Sequence, residues 1–361
     1  MNVTALARPE IVAMQPYASA RSEAPGQGVL LNANEAPRPL LTGLDSGPGL
    51  HRYPEPQPQE LVARLAERYA VPRDCVLVTR GSDEGIDLLT RVFCRAGRDA
   101  VVQCPPTFGM YRIAACIQGA DIVSVARDPA RRFAMDEPAV LAAVARDDRV
   151  RLIFLTSPNN PTGDLVREDF LQKLLTAAAG RALVVLDEAY AEFCAQPSAT
   201  RLIEAHENLV VLRTLSKAWA SAGLRCGVVL AQPSVIGLLR RVIAPYPLAT
   251  PIIALALRTL DDGMRERQAR LIEEIARNKK ALIELLENRT FVNELIAGEA
   301  NFVLLRVNDA RALLRYCADR GVILRGFATD PELQDCLRIS VGSAADQAAL
   351  AQALDAWENE R

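Results

Sequence analysis

Lys217 stands among hydroxyl and cationic residues that an ordinary surface lysine does not need. Ser216 directly precedes Lys217, Thr214 lies three residues before it, and Arg225 follows eight residues after it. A lysine amine that attacks a carbonyl carbon must lose its proton readily, and hydroxyl groups beside an arginine suit a phosphate. The spacing therefore indicates a Schiff-base lysine next to a phosphate site. A solvated lysine at the end of a strand is the alternative for the motif taken alone.

A carboxylate and a phenol follow the apolar run at 182–186. Asp187 could pair with a protonated ring nitrogen, and Tyr190, three residues later, could hydrogen-bond a ring oxygen. Capping of the next helix by an acid at a strand end is the alternative. Asn160 lies in a turn of prolines and asparagines after the run at 150–155. Its amide would present a donor to a cleft, or it is simply part of the turn.

A glycine and a serine open the helix-patterned segment that follows another apolar run. Gly81 permits close backbone approach, and free amides at a helix start, with the Ser82 hydroxyl, suit a phosphate. Asp83 contributes to this site through its amide alone, because its carboxylate would repel a phosphate. A capping serine followed by acids explains the same turn without a ligand. Phe108 could stack on a planar ring or pack in the core.

Seven short β-branched runs alternate with helix-patterned segments through the centre of the chain. They predict strands at 75–79, 100–103, 121–125, 150–155, 182–186, 209–212 and 226–230. Such runs are typical of strands buried on both faces of a mainly parallel sheet between helices. Ligands bind beyond the carboxyl ends of strands in these sheets, so the polar groups named above are expected to meet there. Together they supply the groups that pyridoxal phosphate requires.

The flanking segments predict a second, smaller α+β domain. A glycine-rich linker at 42–49 and a proline-rich break at 244–251 bound the central region. The elements predicted after the break are a long amphipathic helical stretch at about 252–287, strands at 301–307 and 336–341, and a helix at 310–320. We therefore predict a large domain over 48–245 and a small domain formed by 1–47 and 246–361.

Composition and charge limit the classes of function. The chain has 361 residues, a net charge of −2 and scattered basic residues, which favours small-molecule substrates over nucleic acid. Without a leader pattern or an apolar run near the ~20 residues of a membrane span, the sequence predicts a cytoplasmic protein with no membrane partner. Eight cysteines without C-x-x-C spacing and only two histidines argue against a metal site.

The chain resembles the histidinol-phosphate aminotransferases, which are fold type I pyridoxal-phosphate enzymes. The resemblance covers nearly the whole chain. The motifs that carry it are NANE at 32–35, RYPEP at 52–56, SPNNPTG at 157–163, DEAY at 187–190, TLSK at 214–217, AGLRCG at 222–227, IAPYP at 243–247 and LRISVG at 337–342. It implies the α/β fold of aspartate aminotransferase, with a mainly parallel seven-stranded sheet sandwiched by helices and a smaller α+β domain.

The resemblance also implies roles for the cofactor residues. Lys217 would hold pyridoxal phosphate as a Schiff base, Asp187 would pair with the pyridine nitrogen, and Asn160 and Tyr190 would bond the ring oxygen. Phe108 stands where the family often has tyrosine and would stack on the ring. The residues expected to bind the cofactor phosphate are Gly81, Ser82, Asp83, Thr214, Ser216 and Arg225.

Substrate contacts and a partner subunit follow from the same resemblance. Tyr53 matches a tyrosine that reaches the cofactor phosphate of the neighbouring subunit, which implies a homodimer with shared sites. Arg338 matches the arginine that grips the substrate anion. Arg325 and Tyr17 match further contacts to the phosphate of histidinol phosphate, and Asn34 is a further substrate-binding candidate.

The implied reaction interconverts L-histidinol phosphate and 2-oxoglutarate with imidazole-acetol phosphate and L-glutamate, in histidine biosynthesis. An aromatic-amino-acid aminotransferase of the same fold would also use Arg338 but would need Arg325 and Tyr17 less. A phosphoamino-acid decarboxylase would use the same cofactor groups and release carbon dioxide. From another class, a non-catalytic ligand-binding regulator remains open, although no helix-turn-helix pattern or basic segment is attached.

Overall fold

The structure, a computed structural model, describes residues 2–15 and 49–360. Its helices are α1 Pro9–Ala13, α2 Gln59–Tyr69, α3 Ser82–Phe93, α4 Met110–Gln118, α5 Glu137–Arg146, α6 Glu168–Ala177, α7 Pro233–Leu239, α8 Thr250–Thr259, α9 Asp262–Glu287, α10 Ala310–Asp319 and α11 Ala344–Asn359. Its strands are β1 Val76–Thr79, β2 Ala100–Gln103, β3 Asp121–Ser124, β4 Val150–Thr156, β5 Leu183–Asp187, β6 Leu209–Thr214, β7 Gly227–Ala231, β8 Val292–Ile296, β9 Phe302–Val307, β10 Arg325–Gly326 and β11 Cys336–Ser340.

The larger sheet contains seven strands in the order β1-β7-β6-β5-β4-β2-β3. The pairs β2–β3, β2–β4, β4–β5 and β5–β6 are parallel, whereas β7 is antiparallel to both of its neighbours. All seven strands begin and end within two residues of the predicted runs. The predicted mainly parallel seven-stranded sheet is therefore confirmed.

Hydrophobic cores cover both faces of this sheet. Successive strand residues point to opposite faces, so Val184 and Leu186 join one core and Val185 joins the other. Helices α2, α5, α6 and α8 complete the first core, and α3, α4 and α7 complete the second. The prediction that every run is buried on both faces is wrong for β3, since this edge strand exposes both of its end residues.

The smaller sheet is antiparallel, with the strand order β10-β11-β9-β8. Its core includes residues of α9, α10 and α11. The runs at 301–307 and 336–341 form strands as predicted, but β8 and β10 were not predicted. The stretch predicted as one long helical segment divides into α8 and α9, and residues 260 and 261 separate them.

Two segments outside the predicted large domain pack against the large sheet. Val3 and Ala7, assigned to the small domain with 1–47, lie in the second core of the large sheet, and the Arg8 N–H donates to the Val92 carbonyl at 3.0 Å. Helix α8, assigned to the small domain with 246–361, contributes Ala256 to the first core. Apolar residues on these short segments are buried by the nearest large apolar surface, which lies on the large sheet. The domain boundaries, 48–245 for the large domain and 1–47 with 246–361 for the small one, stay predictions.

The strand register gathers polar chain segments at one edge of the large sheet. Thr79 and Thr214, the last residues of β1 and β6, both pair with Gly227, the first residue of antiparallel β7. Thr156 and Asp187, the last residues of β4 and β5, pair with each other. The segments that follow these strands therefore start from a common edge. Within the described ranges, no helix has the length and apolarity needed to cross a membrane.

Candidate active site

One cavity at this edge brings together ten of the residues predicted from sequence. They are Ser82, Asp83, Phe108, Asn160, Asp187, Tyr190, Thr214, Ser216, Lys217 and Arg225. Three residues that were not predicted also line it, namely Thr156, Ala189 and Ala222. The cavity is bounded by the segments that follow β1, β2, β4, β5 and β6, as expected for a ligand site of an open α/β sheet.

Asp187 places a carboxylate at the floor of the cavity and is only 2% exposed. Its Oδ2 accepts a hydrogen bond from the Tyr111 hydroxyl at 2.8 Å, and its Oδ1 accepts one from the Ala189 N–H at 3.1 Å. Burial raises the pKa of Asp187 to about 6, although both hydrogen bonds act in the opposite direction. A carboxylate this deeply desolvated is stabilised by a cationic partner, so the arrangement suits a protonated ring nitrogen.

Lys217 follows β6 and directs its amine toward the aromatic wall of the cavity. Its Nζ lies 5.5 Å from the centroid of the Tyr190 ring. The side chain reaches solvent, yet the surrounding protein desolvates the ammonium, and this desolvation is the largest cause that lowers the pKa of Lys217. The charge of Arg338 adds to the effect, while Asp83 and Asp187 oppose it. Lys217 therefore loses its proton more readily than a solvated lysine does.

Hydroxyl and guanidinium groups form the opposite corner of the cavity. Thr214 Oγ1 donates to Ser216 Oγ at 2.9 Å, and Arg225 Nη1 lies 3.5 Å from the same Ser216 oxygen. Arg225 Nη2 donates to Asp83 Oδ2 at 3.2 Å. The Asp83 carboxylate therefore holds the arginine in place. Its acidic charge, which argued against a phosphate at the sequence level, is balanced by this ion pair.

Close backbone packing brings the start of helix α3 against this corner. Gly81 has φ of +77°, and a Cβ added there would lie 2.8 Å from Arg225 Nη2. A Cβ at Gly227 would lie 2.6 Å from the Ser82 nitrogen. Helix α3 begins at Ser82 and runs for 12 residues, so its first amides have no partner within the helix. Amides, hydroxyls and a guanidinium at one corner are the groups that bind a phosphate.

The remaining walls carry aromatic and amide groups. Phe108 lines the cavity, and its ring meets the Tyr111 ring edge-on at 5.7 Å. Burial raises the pKa of Tyr190 to about 12, so its hydroxyl stays protonated and can donate a hydrogen bond. Asn160 completes this side, and its Oδ1 accepts a hydrogen bond from Arg338 Nη1 at 2.5 Å.

Arg338 brings a cation from the small domain to the cavity through this contact with Asn160. Its guanidinium carbon lies 5.1 Å from the centroid of the Phe302 ring, and its buried Nε has no hydrogen-bond partner among the described residues. Arg325 on β10 lies directly opposite Arg338 on β11. Burial lowers the pKa of Arg338, and the charge of Arg325 lowers it further. Two opposed cations on one face of the sheet are stabilised by an anion.

Three predicted residues remain to be placed. Tyr53 is 51% exposed and stacks on Tyr246 with ring centroids 4.6 Å apart. It is not among the residues that line the cavity of its own chain, so its contact with a neighbouring subunit stays a prediction. Tyr17 and Asn34 fall outside the described residues, and their substrate contacts stay predictions as well.

Sequence reasoning missed two residues that contact the cavity floor. Tyr111 is fully buried and hydrogen-bonds Asp187, and Thr156 lies beside both. Thr156 ends a strand, which was a usable signal. Tyr111 comes three residues after Phe108, but this spacing equally suits two core residues of a helix. The contact between Tyr111 and Asp187 spans 76 positions of the chain and has no local signature.

The polar groups around the cavity fit pyridoxal phosphate. Asp187 lines the cavity and accepts two hydrogen bonds, which leaves acceptor capacity for a ring nitrogen. The Lys217 amine suits the carbonyl carbon, and the Asn160 amide and Tyr190 phenol suit the ring oxygen. The start of α3, with Thr214, Ser216 and Arg225, suits the phosphate. These residues are the ones predicted from sequence for each part of the cofactor.

Comparison with known proteins agrees with this site. The aminotransferase class I and II family matches residues 24–356. A histidinol-phosphate aminotransferase of Cronobacter sakazakii is 44% identical over 347 residues, which cover 95% of this chain and 94% of that protein. One of Yersinia enterocolitica is 42% identical over 343 residues, which cover 95% and 90%. The crystal structure of histidinol-phosphate aminotransferase from Sinorhizobium meliloti in complex with pyridoxal-5'-phosphate superposes with a TM-score of 0.75 at 25% identity, covering 84% of this chain and 82% of that one. The chain therefore belongs to the aminotransferase class I and II family and, within it, to the pyridoxal-phosphate-dependent histidinol-phosphate aminotransferases.

Proposed function

We propose that this protein transfers an amino group between L-histidinol phosphate and 2-oxoglutarate, forming imidazole-acetol phosphate and L-glutamate in histidine biosynthesis. The relatives are named histidinol-phosphate aminotransferases. The observation that supports it within this chain is the Arg338–Asn160 hydrogen bond, with Arg325 opposite Arg338. This contact brings two cations beside the cavity that holds Lys217 and Asp187, which suits a substrate with an amine at one end and a phosphate at the other.

Lys217 and Asp187 are the proposed catalytic residues, with Tyr190. When bound, pyridoxal phosphate supplies an electron sink for the pair released at the substrate carbon that bears the amine. Lys217 Nζ, whose pKa is lowered by desolvation, would take the proton from that carbon and pass it to the cofactor, not back to the substrate, so that the amino group can leave the substrate. Asp187 holds a proton on the ring nitrogen through its carboxylate. Tyr190 would donate a hydrogen bond to the ring oxygen of the cofactor, since its raised pKa keeps its hydroxyl protonated.

The other cavity residues are proposed to bind and orient the cofactor. Asn160 would donate from its amide to the ring oxygen while its carbonyl keeps the hydrogen bond to Arg338. Phe108 would stack on the ring. The proposed phosphate contacts are Gly81 and Asp83 through the backbone at the start of α3, Ser82, Thr214, Ser216 and Arg225.

Arg338 must accept two different anions in turn, the phosphate of one substrate and a carboxylate of the other. A guanidinium presents a planar fork of donors that suits both. Arg325 reinforces the positive charge from the neighbouring strand. Tyr17 and Asn34 are proposed as further substrate contacts.

A panel of amines tests the substrate assignment. We expect turnover with histidinol phosphate and 2-oxoglutarate to exceed turnover with histidinol or phenylalanine, which lack the phosphate, by at least about tenfold, because a charge-assisted hydrogen bond contributes about 1.5–3 kcal/mol. Threonine phosphate keeps a phosphate but has no imidazole, so it tests for the decarboxylase. Keto product without carbon dioxide release is the expected result. A preference for phenylalanine would favour the aromatic aminotransferase, and carbon dioxide from threonine phosphate would favour the decarboxylase. No turnover with any amine would favour a ligand-binding regulator.

A variant of Arg325 separates recognition of the phosphate from catalysis. Arg325→Met is expected to lower kcat/KM for histidinol phosphate about tenfold or more and to leave kcat/KM for histidinol nearly unchanged. Arg320→Met is the matched control, since Arg320 is another small-domain arginine, which pairs with Glu360 and the Tyr316 ring. Equal losses for both amines in Arg325→Met would contradict a phosphate contact.

The proposed assembly is a homodimer in the cytoplasm. Tyr53 would reach the cofactor phosphate of the neighbouring subunit, a role supported by its exposed ring and its absence from the cavity lining of its own chain. The eight cysteines are all free, which suits a reducing compartment.

A further inference from the structure

A fully buried tyrosine on helix α4 contacts the carboxylate of Asp187. The Tyr111 hydroxyl lies 2.8 Å from Asp187 Oδ2 and 2.7 Å from Thr156 Oγ1. The Tyr111 ring stacks on Phe154, with centroids 4.7 Å apart and planes inclined by 4°. This stack and the two hydrogen bonds therefore hold the phenol in one orientation.

The chemistry of the three groups sets the direction of the hydrogen bonds. An ionised carboxylate only accepts, so Tyr111 donates to Asp187 and Thr156 donates to Tyr111. If Asp187 is protonated, its hydroxyl can donate to Tyr111, and Tyr111 can donate to Thr156. The chain of hydroxyls is satisfied in both states, which makes it suited to a carboxylate whose charge changes.

We propose that Tyr111 is a positioning residue that holds the Asp187 carboxylate in place and stabilises its negative charge for the ring nitrogen of the cofactor, with Thr156 completing the hydrogen-bond chain. This inference rests on the proposed role of Asp187. Tyr111 acts through Asp187, and it is Asp187 that lines the cavity.

The groups around Asp187 disfavour its negative charge, so the charge needs a hydrogen-bond donor such as Tyr111. Burial raises the pKa of Asp187, and the negative charges of Asp83 and Glu188 raise it further. The Tyr111 hydroxyl is the foremost group that lowers the pKa, ahead of the Ala189 N–H.

Other ionisable groups also face this carboxylate. The positive charge of Lys217 interacts with Asp187, and the Tyr190 phenol interacts with it electrostatically. Neither Lys217 nor Tyr190 is among the hydrogen-bond donors to Asp187 in the part of the chain that the structure describes. Loss of the Tyr111 hydroxyl would leave the backbone N–H as the donor to this buried charge.

Packing alone does not account for a hydroxyl at this position. A phenylalanine would fill nearly the same volume and keep the stack on Phe154. A buried hydroxyl costs free energy unless it is hydrogen-bonded, so a purely structural ring would be better without it. Tyr111→Phe therefore removes the proposed role and preserves the packing.

The test compares Tyr111→Phe with the intact protein in both the cofactor-free and the cofactor-bound forms. In the cofactor-free protein, infrared difference spectroscopy with Asp187→Asn as the blank is expected to show the pKa of Asp187 raised by about one unit or more. In the bound form, we expect the dissociation constant of pyridoxal phosphate to rise about tenfold and kcat to fall by a similar factor while KM for the amine stays unchanged.

Two further variants sharpen the test. Tyr316→Phe removes a phenol hydroxyl in the small domain, where Tyr316 packs on Trp357, and it should change none of these quantities. Thr156→Val removes the donor to Tyr111 and should shift the Asp187 titration in the same direction by a smaller amount. If Tyr111→Phe does not fold, Thr156→Val still tests the hydrogen bonds that lead from Thr156 through Tyr111 to Asp187.

The outcomes separate this inference from the proposed role of Asp187. An unchanged titration of Asp187 and an unchanged cofactor affinity in Tyr111→Phe, with Asp187→Asn impaired, would overturn the role of Tyr111 alone. If Asp187→Asn binds pyridoxal phosphate and turns over like the intact protein, the role proposed for Asp187 fails and this inference fails with it. A raised pKa of Asp187 together with weakened cofactor binding in Tyr111→Phe would support the roles of both Tyr111 and Asp187.

Discussion

Replacing Asp187 with asparagine should stabilise the cofactor-free protein, and the size of the effect should depend on pH. Asp187 is 2% exposed, and burial raises its pKa from the ordinary 3.8 to about 6. The folded chain therefore binds this proton more tightly than the unfolded chain does. Asparagine keeps an acceptor for the Ala189 N–H and a partner for Tyr111 but carries no charge. The variant removes the electrostatic cost while nearly preserving shape.

The magnitude follows from the pKa shift. The difference of about 2 units corresponds to about 3 kcal/mol at 1.36 kcal/mol per unit. Because the folded pKa is the higher one, the contribution of Asp187 to the unfolding free energy is complete below about pH 4. It is lost as the pH rises through about 6. Between pH 4.5 and pH 7.5 the loss amounts to about 2 kcal/mol.

Urea unfolding of the cofactor-free protein at several pH values measures this effect. The unfolding free energy of Asp187→Asn minus that of the intact protein should be about 2 kcal/mol larger at pH 7.5 than at pH 4.5. Asp148→Asn, which removes a surface carboxylate that is 95% exposed, should keep the pH dependence of the intact protein. A constant difference between Asp187→Asn and the intact protein across this pH range would refute the argument from burial. Saturation with pyridoxal phosphate should reverse the order of stability, because the ring nitrogen then pairs with the charged carboxylate.

Three more predictions concern other parts of the site. Lys217→Ala should abolish turnover and the visible absorbance of the Schiff base between lysine and cofactor. Lys280→Ala, at an exposed position of α9, should retain both, and activity in Lys217→Ala would exclude the proposed role of Lys217. Gly227→Ala should lower the unfolding free energy by about 3 kcal/mol and weaken cofactor binding, because its Cβ would lie 2.5 Å from the Gly81 carbonyl carbon. Gly237→Ala in α7 meets no atom within 4 Å and should instead stabilise by about 1 kcal/mol, so equal effects at both glycines would contradict this account; thermal and urea unfolding measure both. Mixing inactive Tyr53→Ala and Lys217→Ala proteins should restore part of the activity through hybrid dimers, and no recovery despite demonstrated subunit exchange would count against shared sites.

Local patterns were sufficient for most elements of the fold. The seven runs of β-branched residues became the strands of the large sheet because short, apolar segments are buried efficiently as strands between helix layers. The pattern failed where burial is partial. Strand β8 has mostly half-buried residues, and β10 contains two residues, so neither has a run long or apolar enough to predict.

The residues at strand ends were also accessible to sequence reasoning. Asp187 directly ends a buried strand, and the segment holding Lys217 directly follows another, so the rule for open α/β sheets predicted that they share a cleft. Arg225 was predicted from its charge, its distance to Lys217 in the sequence and the AGLRCG motif at 222–227. Its true position depends on β7 running antiparallel to β6 and on the left-handed backbone of Arg225, at φ of 50°.

The sequence by itself determined most of the elements, the chemical groups and the cofactor that those groups fit, because periodicity, strand ends and short motifs are properties of neighbouring residues. Tertiary structure alone decided the order of the strands, the packing of α8 on the large sheet and the approach of Arg338 to Asn160. It also decided that Tyr111 supports Asp187. These contacts join residues far apart in the chain, and their free energy comes from burial and hydrogen bonding that exist only once the chain is folded.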